Sequence, residues 1–471
     1  MRAKTQANPR NSRPALLTLA AGLLLTMAAG IVRADPPKPN TDPFPEPGSK
    51  KGLQVQMVDD AIALGIRHAT LNVSLGALFH STGSNTAATP PTPLPPGTLR
   101  HECGGHTNFL NAAYVAGLDR QIKPMADAGI VVYLILLAYP SKDAQKDAQL
   151  LHPNRRPDGK FTIAAFNTAA EDGLRLYRAL IGFLAERYSG AHPEHGRVWG
   201  YIVGNEVNSH WLWYNLGTAS LETVAGEYEK AVRATHFTVR RHSAHARTYL
   251  SLDHHWNASM PGISAQEACK GRDLLDTVAR IVRERGDFEW HLAYHPYPDD
   301  LGNPRTWLDK AALPHDDSPH VTFKNLEVAC AHLARPELLW QGAPRRIILS
   351  EQGIHCLATP EGEALQAAGF AYAWEKVARQ PGIDALIWHR HVDHAHEGGL
   401  RLGLWENQPG SIATPGRPRA IHGLFARAGT QDWENAARPY LPTTGLKSWG
   451  DLDPRPGGSS STPPVPATSQ D

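Results

Sequence analysis

The stretch Tyr201-Ile202-Val203-Gly204-Asn205-Glu206 opens on apolar residues and closes on a polar pair. A short apolar run bounded by turn residues reads as a strand buried on both faces. Behind it, Leu221 to Arg241 reads as a helix, and ahead of it Ala170 to Tyr188 places apolar residues at three- and four-residue steps, the period of a helix packed on one side. A strand that feeds a helix is the repeating unit of a parallel sheet.

The same alternation extends in both directions. Strand-like runs fall at Gly52 to Gln56, Arg67 to Val73, Ile130 to Leu137, Val198 to Val203, Thr248 to Leu252, Phe288 to Tyr294, Arg346 to Ser350 and Ile383 to Trp388. Helical stretches lie between them: Asp59 to Leu64, Gly117 to Gly129, Ala170 to Tyr188, Arg272 to Arg285, Asn325 to Ala334 and Glu361 to Arg379. Eight strands favour a closed (β/α)8 barrel, an α/β fold of one catalytic domain. No GxGxxG follows a strand and no P-loop occurs, which argues against an open nucleotide-binding sheet.

The chain has 471 residues, and the barrel domain is expected over residues 50–451. Residues 1–34 read as an export signal. Arg2, Lys4, Arg10 and Arg13 precede an apolar run from Leu16 to Val32, and Ala34 offers a cleavage point. Residues 35–49 form a Pro-rich leader, Ser81 to Gly97 a Pro-rich insertion, and 452–471 a Pro/Ser/Gly tail poor in core-forming side chains. The expected location is secreted or periplasmic, without a membrane partner once the signal is removed. A net charge of +1 gives no reason to expect nucleic acid, and a monomer is expected. Export would permit disulfides among Cys103, Cys269, Cys330 and Cys356, whose pairing the spacing leaves open.

Catalytic groups of such a barrel sit at the C-terminal strand ends. Glu206 closes the fourth strand and Glu351 the seventh, in Ile347-Ile348-Leu349-Ser350-Glu351-Gln352. Burial at a strand end raises a carboxyl pKa and suits a general acid. Two carboxylates facing each other across a barrel mouth can flank one glycosidic bond. A gap of about 5–5.5 Å implies retention and one of roughly 6.5–9.5 Å inversion. Asp253, His254 and His255 end the fifth strand. Asn208, His210, Trp211, Trp213 and Tyr214 follow Glu206. Aromatic faces, amides and imidazoles are the groups that hold sugars.

Asn205-Glu206 on strand four, His295-Pro296-Tyr297 on strand six, Glu351 on strand seven and Trp388 on strand eight resemble the pattern of the clan-A retaining glycoside hydrolases. The resemblance implies Glu206 as acid/base, Glu351 as nucleophile and Asn205 as a ligand of the sugar 2-hydroxyl. It implies His295 or Tyr297 as a hydrogen-bond donor to the nucleophile and Trp388 as a subsite floor. More narrowly, Asn205-Glu206-Val207-Asn208, Leu252-Asp253-His254-His255-Trp256 and Ser350-Glu351-Gln352-Gly353 resemble a bacterial family catalogued as domain of unknown function 5722. One departure is Asn72, where the clan often carries an arginine near the nucleophile; Arg390 is a candidate substitute.

The expected activity is therefore retaining hydrolysis of an oligo- or polysaccharide, with no cofactor. Two alternatives stand beside it: a non-catalytic carbohydrate-binding barrel and a metal-dependent barrel hydrolase. The run Trp388-His389-Arg390-His391-Val392-Asp393-His394-Ala395-His396-Glu397 is dense in ligand types. Without an HxH closing an early strand and without HExxH, His389 and Arg390 read as sugar contacts, and no metal is assigned.

Overall fold

The computed structural model describes residues 38–80, 95–157 and 163–453. The expected signal, residues 81–94 of the Pro-rich insertion, and the tail beyond 453 lie outside the described residues.

Eight parallel strands close into a barrel. They are β1 (Lys51–Gln54), β2 (His68–Ser74), β3 (Val131–Leu137), β4 (Gly200–Val203), β5 (Arg247–Asp253), β6 (Trp290–His295), β7 (Ile347–Leu349) and β8 (Ile383–Trp388). Each pairs with the next, and β8 returns to β1 with Gly52 opposite Ile387. The (β/α)8 expectation is met, strand by strand.

The outer layer comprises α1 (Val58–Ala63), α2 (Ala112–Asp127), α3 (Glu171–Arg187), α4 (Leu221–Val239), α5 (Gly271–Glu284), α6 (Glu327–Leu333), α7 (Gly362–Ala378) and α8 (Ala420–Arg427). α5 shows why these segments are helical and where they dock. Leu274, Leu275, Val278, Ala279, Ile281 and Val282 form one apolar stripe turned to the sheet. Each buried Leu, Val or Ile of it contributes roughly 1.5–3 kcal/mol relative to exposure.

Strand alternation sorts the side chains into two cores. Tyr133, Ile135, Ile202, Tyr249, Ala293, Ile348, Ala385 and Ile387 fill the barrel interior. Their neighbours face the helices. The ring of Tyr133 fits because residue 200 is glycine: a Cβ there would lie 2.2 Å from it. Phe44 from the leader packs edge-on against Trp199 at 5.7 Å, and both rest on the interior cluster at the N-terminal face.

α7 departs from one-sided amphipathicity, since it is buried nearly all round. The C-terminal helices cover its outer face. Phe370 meets Phe425 at 5.4 Å, Trp374 meets Trp433 at 5.9 Å, and Trp433 Nε1 donates to Glu375 Oε1 at 2.6 Å.

Two antiparallel hairpins were not foreseen: Thr98–Cys103 with His106–Asn111 before α2, and Trp405–Asn407 with Pro415–Pro418 before α8. All four cysteines are free. Among the described residues, no helix is long and apolar enough to cross a membrane.

Candidate active site

The C-terminal mouth of the barrel holds a cavity of about 470 Å³ lined by Glu206, Glu351, Asn205, Asp253, His254, His255, Tyr297, His389 and Arg390, among others. Glu206 reaches it through an unusual turn. Gly204 has φ +72°, and a Cβ there would come within 2.7 Å of the Tyr214 ring. Glu206 itself is left-handed at φ 42°, ψ 53°, a conformation costing on the order of 1–3 kcal/mol for such a residue. Hydrogen bonds hold the turn in place. Glu206 N donates to Ser251 Oγ at 3.0 Å, Ser251 N to Tyr228 Oη at 2.8 Å, and Tyr228 Oη to the Val203 carbonyl at 2.7 Å.

Glu351 follows β7 by two residues and accepts from Tyr297 Oη at 3.3 Å. An oxygen of Glu206, an oxygen of Glu351 and a ring nitrogen of His295 lie within 4.8 Å of one another. His295, the last residue of β6, links the two carboxylate-bearing strands. Its Nδ1 is 2.8 Å from Glu206 Oε1 and its Nε2 is 3.0 Å from Ser350 Oγ. The resemblance gave His295 or Tyr297 to the nucleophile. Instead the two divide the work: Tyr297 bonds Glu351 and His295 bonds Glu206.

Burial pushes the Glu206 carboxyl up to about 7, against the opposing pull of the His295 hydrogen bond and charge. Burial alone would lower His295, but the Glu206 hydrogen bond and the Glu351 charge outweigh it and raise it. Each group therefore holds its proton to higher pH than it would free in water. Burial holds the Tyr297 hydroxyl well above its ordinary value, with the Glu351 charge adding to it, so it stays a donor.

Asp253 is a buried anchor. Burial would raise it, yet bonds from His255 and Ser209 hold it well below the usual carboxylate range. It accepts from Asn208 Nδ2 at 2.5 Å, Ser209 Oγ at 2.5 Å and His255 N at 2.8 Å.

Five expected contacts sit elsewhere, and Tyr214 is one of them, buried with its ring edge-on to Phe166 at 5.7 Å. Asn208 is fully buried, with its amide spent on Asp253, donating from Nδ2 and accepting Asp253 N at 2.9 Å. His210 is fully buried against the Gln266 carbonyl at 2.9 Å. Trp211 lies under the Arg156 guanidinium, 4.6 Å from its ring centroid, while Trp213 reaches the cavity. A short 3-10 turn over Val207–Ser209 and a helix over His210–Trp213 rotate these side chains away from the mouth. Trp388 is no floor. Ile387 points inward, so Trp388 points to the helices, where it meets Phe370 at 5.3 Å and donates Nε1 to the Leu402 carbonyl at 3.1 Å.

Arg390 does not anchor Glu351. Its Nε pairs with Glu397 Oε2 at 2.5 Å, and His389 Nε2 is 3.3 Å from Glu397 Oε1. Burial would raise Glu397, but His389 and Arg390 bring it down to about 2. Asn72 lines the cavity and accepts from Gln54 Nε2 at 3.1 Å. Glu397 closes the run after β8 that the sequence marks as dense in ligand types, and here it pairs with Arg390 and His389. Ser251 and Gln54 escaped the sequence reading, since neither carries a catalytic signature.

A family model described as a family of unknown function (DUF5722) matches residues 43–452, and the chain belongs to that family. No curated protein matches it. Among solved structures it is similar to a family 39 glycoside hydrolase from the gut symbiont Bacteroides cellulosilyticus WH2. That match has 12% identity and a TM-score of 0.51, covering 81% of this chain and 63% of that one. It is also similar to Fpglu1 from Fervidobacterium pennivoraus, with 11% identity and a TM-score of 0.50, covering 84% of this chain and 85% of that one. The chain thus spans under two thirds of the first relative's length, and at these identities the likeness is one of fold.

Proposed function

We propose that this DUF5722 member is a retaining glycoside hydrolase, with Glu206 as acid/base and Glu351 as nucleophile. The observation that supports it is the carboxylate oxygen pair within 4.8 Å at the cavity wall. Oxygens that near each other fit carboxyl groups at the retaining spacing of about 5–5.5 Å, whereas an inverting pair stands roughly 6.5–9.5 Å apart to leave room for a water.

Glu206, kept partly protonated by burial, donates its proton to the glycosidic oxygen as the bond to the anomeric carbon breaks. The Glu351 carboxylate attacks that carbon from the opposite face and forms a glycosyl ester. Glu206, now ionised, takes a proton from water. The hydroxide adds to the anomeric carbon and Glu351 leaves. His295 positions the Glu206 carboxyl and sets its proton affinity, and the Tyr297 hydroxyl steadies Glu351. Asn205 and Trp213 at the cavity wall offer an amide and a ring for hydroxyls and C–H faces.

Glu206, His295 and Glu351 are also close enough to share a cation. Both ring nitrogens of His295 are already engaged, with Glu206 and Ser350, which favours the metal-free reading. The test is a screen of aryl glycosides and polysaccharides, with product stereochemistry followed by NMR. Retention in the wild type is expected. Loss of turnover by about 10²–10⁴-fold in Glu206→Ala is expected, with azide restoring it as a glycosyl azide. Inversion, or full activity in Glu351→Ala, refutes the assignment.

A further inference from the structure

Beside the carboxylate pair lies a second cluster with a different chemistry. His254 and His255 follow β5, and their rings stack at 4.3 Å. His320 comes from the long connection after β6 and stands edge-on to both, at 5.0 Å from each. One ring nitrogen from each lies within 4.8 Å of the other two. The backbones are zipped together, which fixes the rings before any ligand arrives. Val321 N donates to the His254 carbonyl at 3.0 Å, and Trp256 N to the Pro319 carbonyl at 2.9 Å.

The outer partners of these rings are arranged as at a metal centre. His255 Nδ1 is 3.0 Å from Asp253 Oδ1, and His320 Nδ1 is 2.7 Å from Asp299 Oδ1. A carboxylate on one ring nitrogen fixes the tautomer and leaves the opposite nitrogen, Nε2, as a lone-pair donor. His254 Nδ1 is buried and has no hydrogen-bond partner among the described residues. An orphaned buried nitrogen costs stability unless something fills its need.

We propose that His254, His255 and His320 hold one divalent cation of the zinc class. Three imidazoles are a borderline-soft donor set suited to zinc, with nitrogens at about 2.0–2.1 Å from the metal. Asp253 and Asp299 supply the compensating charge from behind the rings. Three protein ligands leave a fourth position open. His254 and His255 also line the cavity that contains Glu206, so the cation is part of that cavity's wall. It fastens the connection carrying His320 to the end of β5. The site stands independently of any role for Glu206 and Glu351.

The full chain, stripped with a chelator and dialysed, is titrated with zinc chloride by calorimetry, and its metal content is measured. One equivalent per chain is expected, together with a rise in Tm on zinc addition. His320→Ala should abolish both effects. Asp299→Asn should weaken binding by roughly 10–100-fold while the protein still folds. The chain has 24 histidines, so His394→Ala/His396→Ala is the control for loop binding and should bind as the wild type does. Cobalt(II) in the wild type should give the intense visible bands of a four- or five-coordinate ion. The proposal is overturned by no saturable site, by His320→Ala or Asp299→Asn binding as tightly as wild type, by loss of binding in the His394/His396 variant, or by the weak spectrum of hydrated cobalt. If His320→Ala fails to fold, Asp299→Asn and the cobalt spectrum decide.

Discussion

Replacing His295 by alanine tests how the site sets its proton affinity. In the folded protein the imidazole lies 2.8 Å from Glu206 Oε1 and opposes the effect of burial on that carboxyl. A hydrogen bond to a charged group is worth about 1.5–3 kcal/mol. At about 1.4 kcal/mol per unit, its loss raises the Glu206 pKa by roughly 1–2 units. The sign follows directly: an acid with a raised pKa keeps its proton to higher pH. The alkaline limb of kcat/KM therefore moves up by the same interval. At pH 7 the ionised fraction of Glu206, the base of the proposed second step, falls roughly five- to fiftyfold. The assay is the pH profile on an aryl glycoside, beside a carboxyl-carbon NMR titration of Glu206 in wild type and His295→Ala. Circular dichroism checks the fold of the variant. An alkaline limb that stays in place, or moves down, refutes the coupling of His295 to Glu206.

Gly204→Ala should destabilise the protein by about 2–4 kcal/mol, because φ is +72° and the new methyl meets the Tyr214 ring at 2.7 Å; the urea midpoint measures it, and an unchanged midpoint contradicts the strained turn. Asp60 accepts from His391 Nε2 at 2.8 Å and Trp405 Nε1 at 3.0 Å, tying α1 to the region after β8. Burial would raise its pKa, but these bonds and His422 bring it down to about 2. A depressed carboxylate stabilises the fold above its unfolded pKa near 3.9, and loses that contribution as pH falls towards 2. Asp60→Asn should thus cost about 2 kcal/mol at pH 7 and little at pH 2, read from thermal unfolding at both.

The barrel was legible because each strand is a short apolar run buried on both faces and each helix has its own stripe. β3, buried at all seven positions, is the clearest instance. Glu206 and Glu351 were legible because a strand end in a barrel has only one address, the mouth. Trp388 went astray on a single step of phase: Ala385 and Ile387 face inward, so the residue after them cannot. Asn208 and His210 lie in a turn whose left-handed start at Glu206 no residue type announces, since glutamate seldom adopts it. His320 was missed for a different reason. It comes from an irregular connection, and a contact made by a loop 65 or so residues from its partners leaves no period in the sequence. In the hairpin before α2, Thr98–Cys103 has no buried position and its partner buries only Asn108, Phe109 and Leu110, so the continuous apolar run that marks a barrel strand is absent.

The aromatic layer over α7 bears on how this polypeptide can be divided. Phe370 has Trp388 of β8 on one side and Phe425 on the other, and Trp374 packs against Trp433. A gene fragment stopping at Trp388 would keep all eight staves yet leave those two rings bare to water. It should self-associate rather than circulate as single molecules. A fusion or affinity handle therefore belongs beyond Leu452, where it spares that greasy seam.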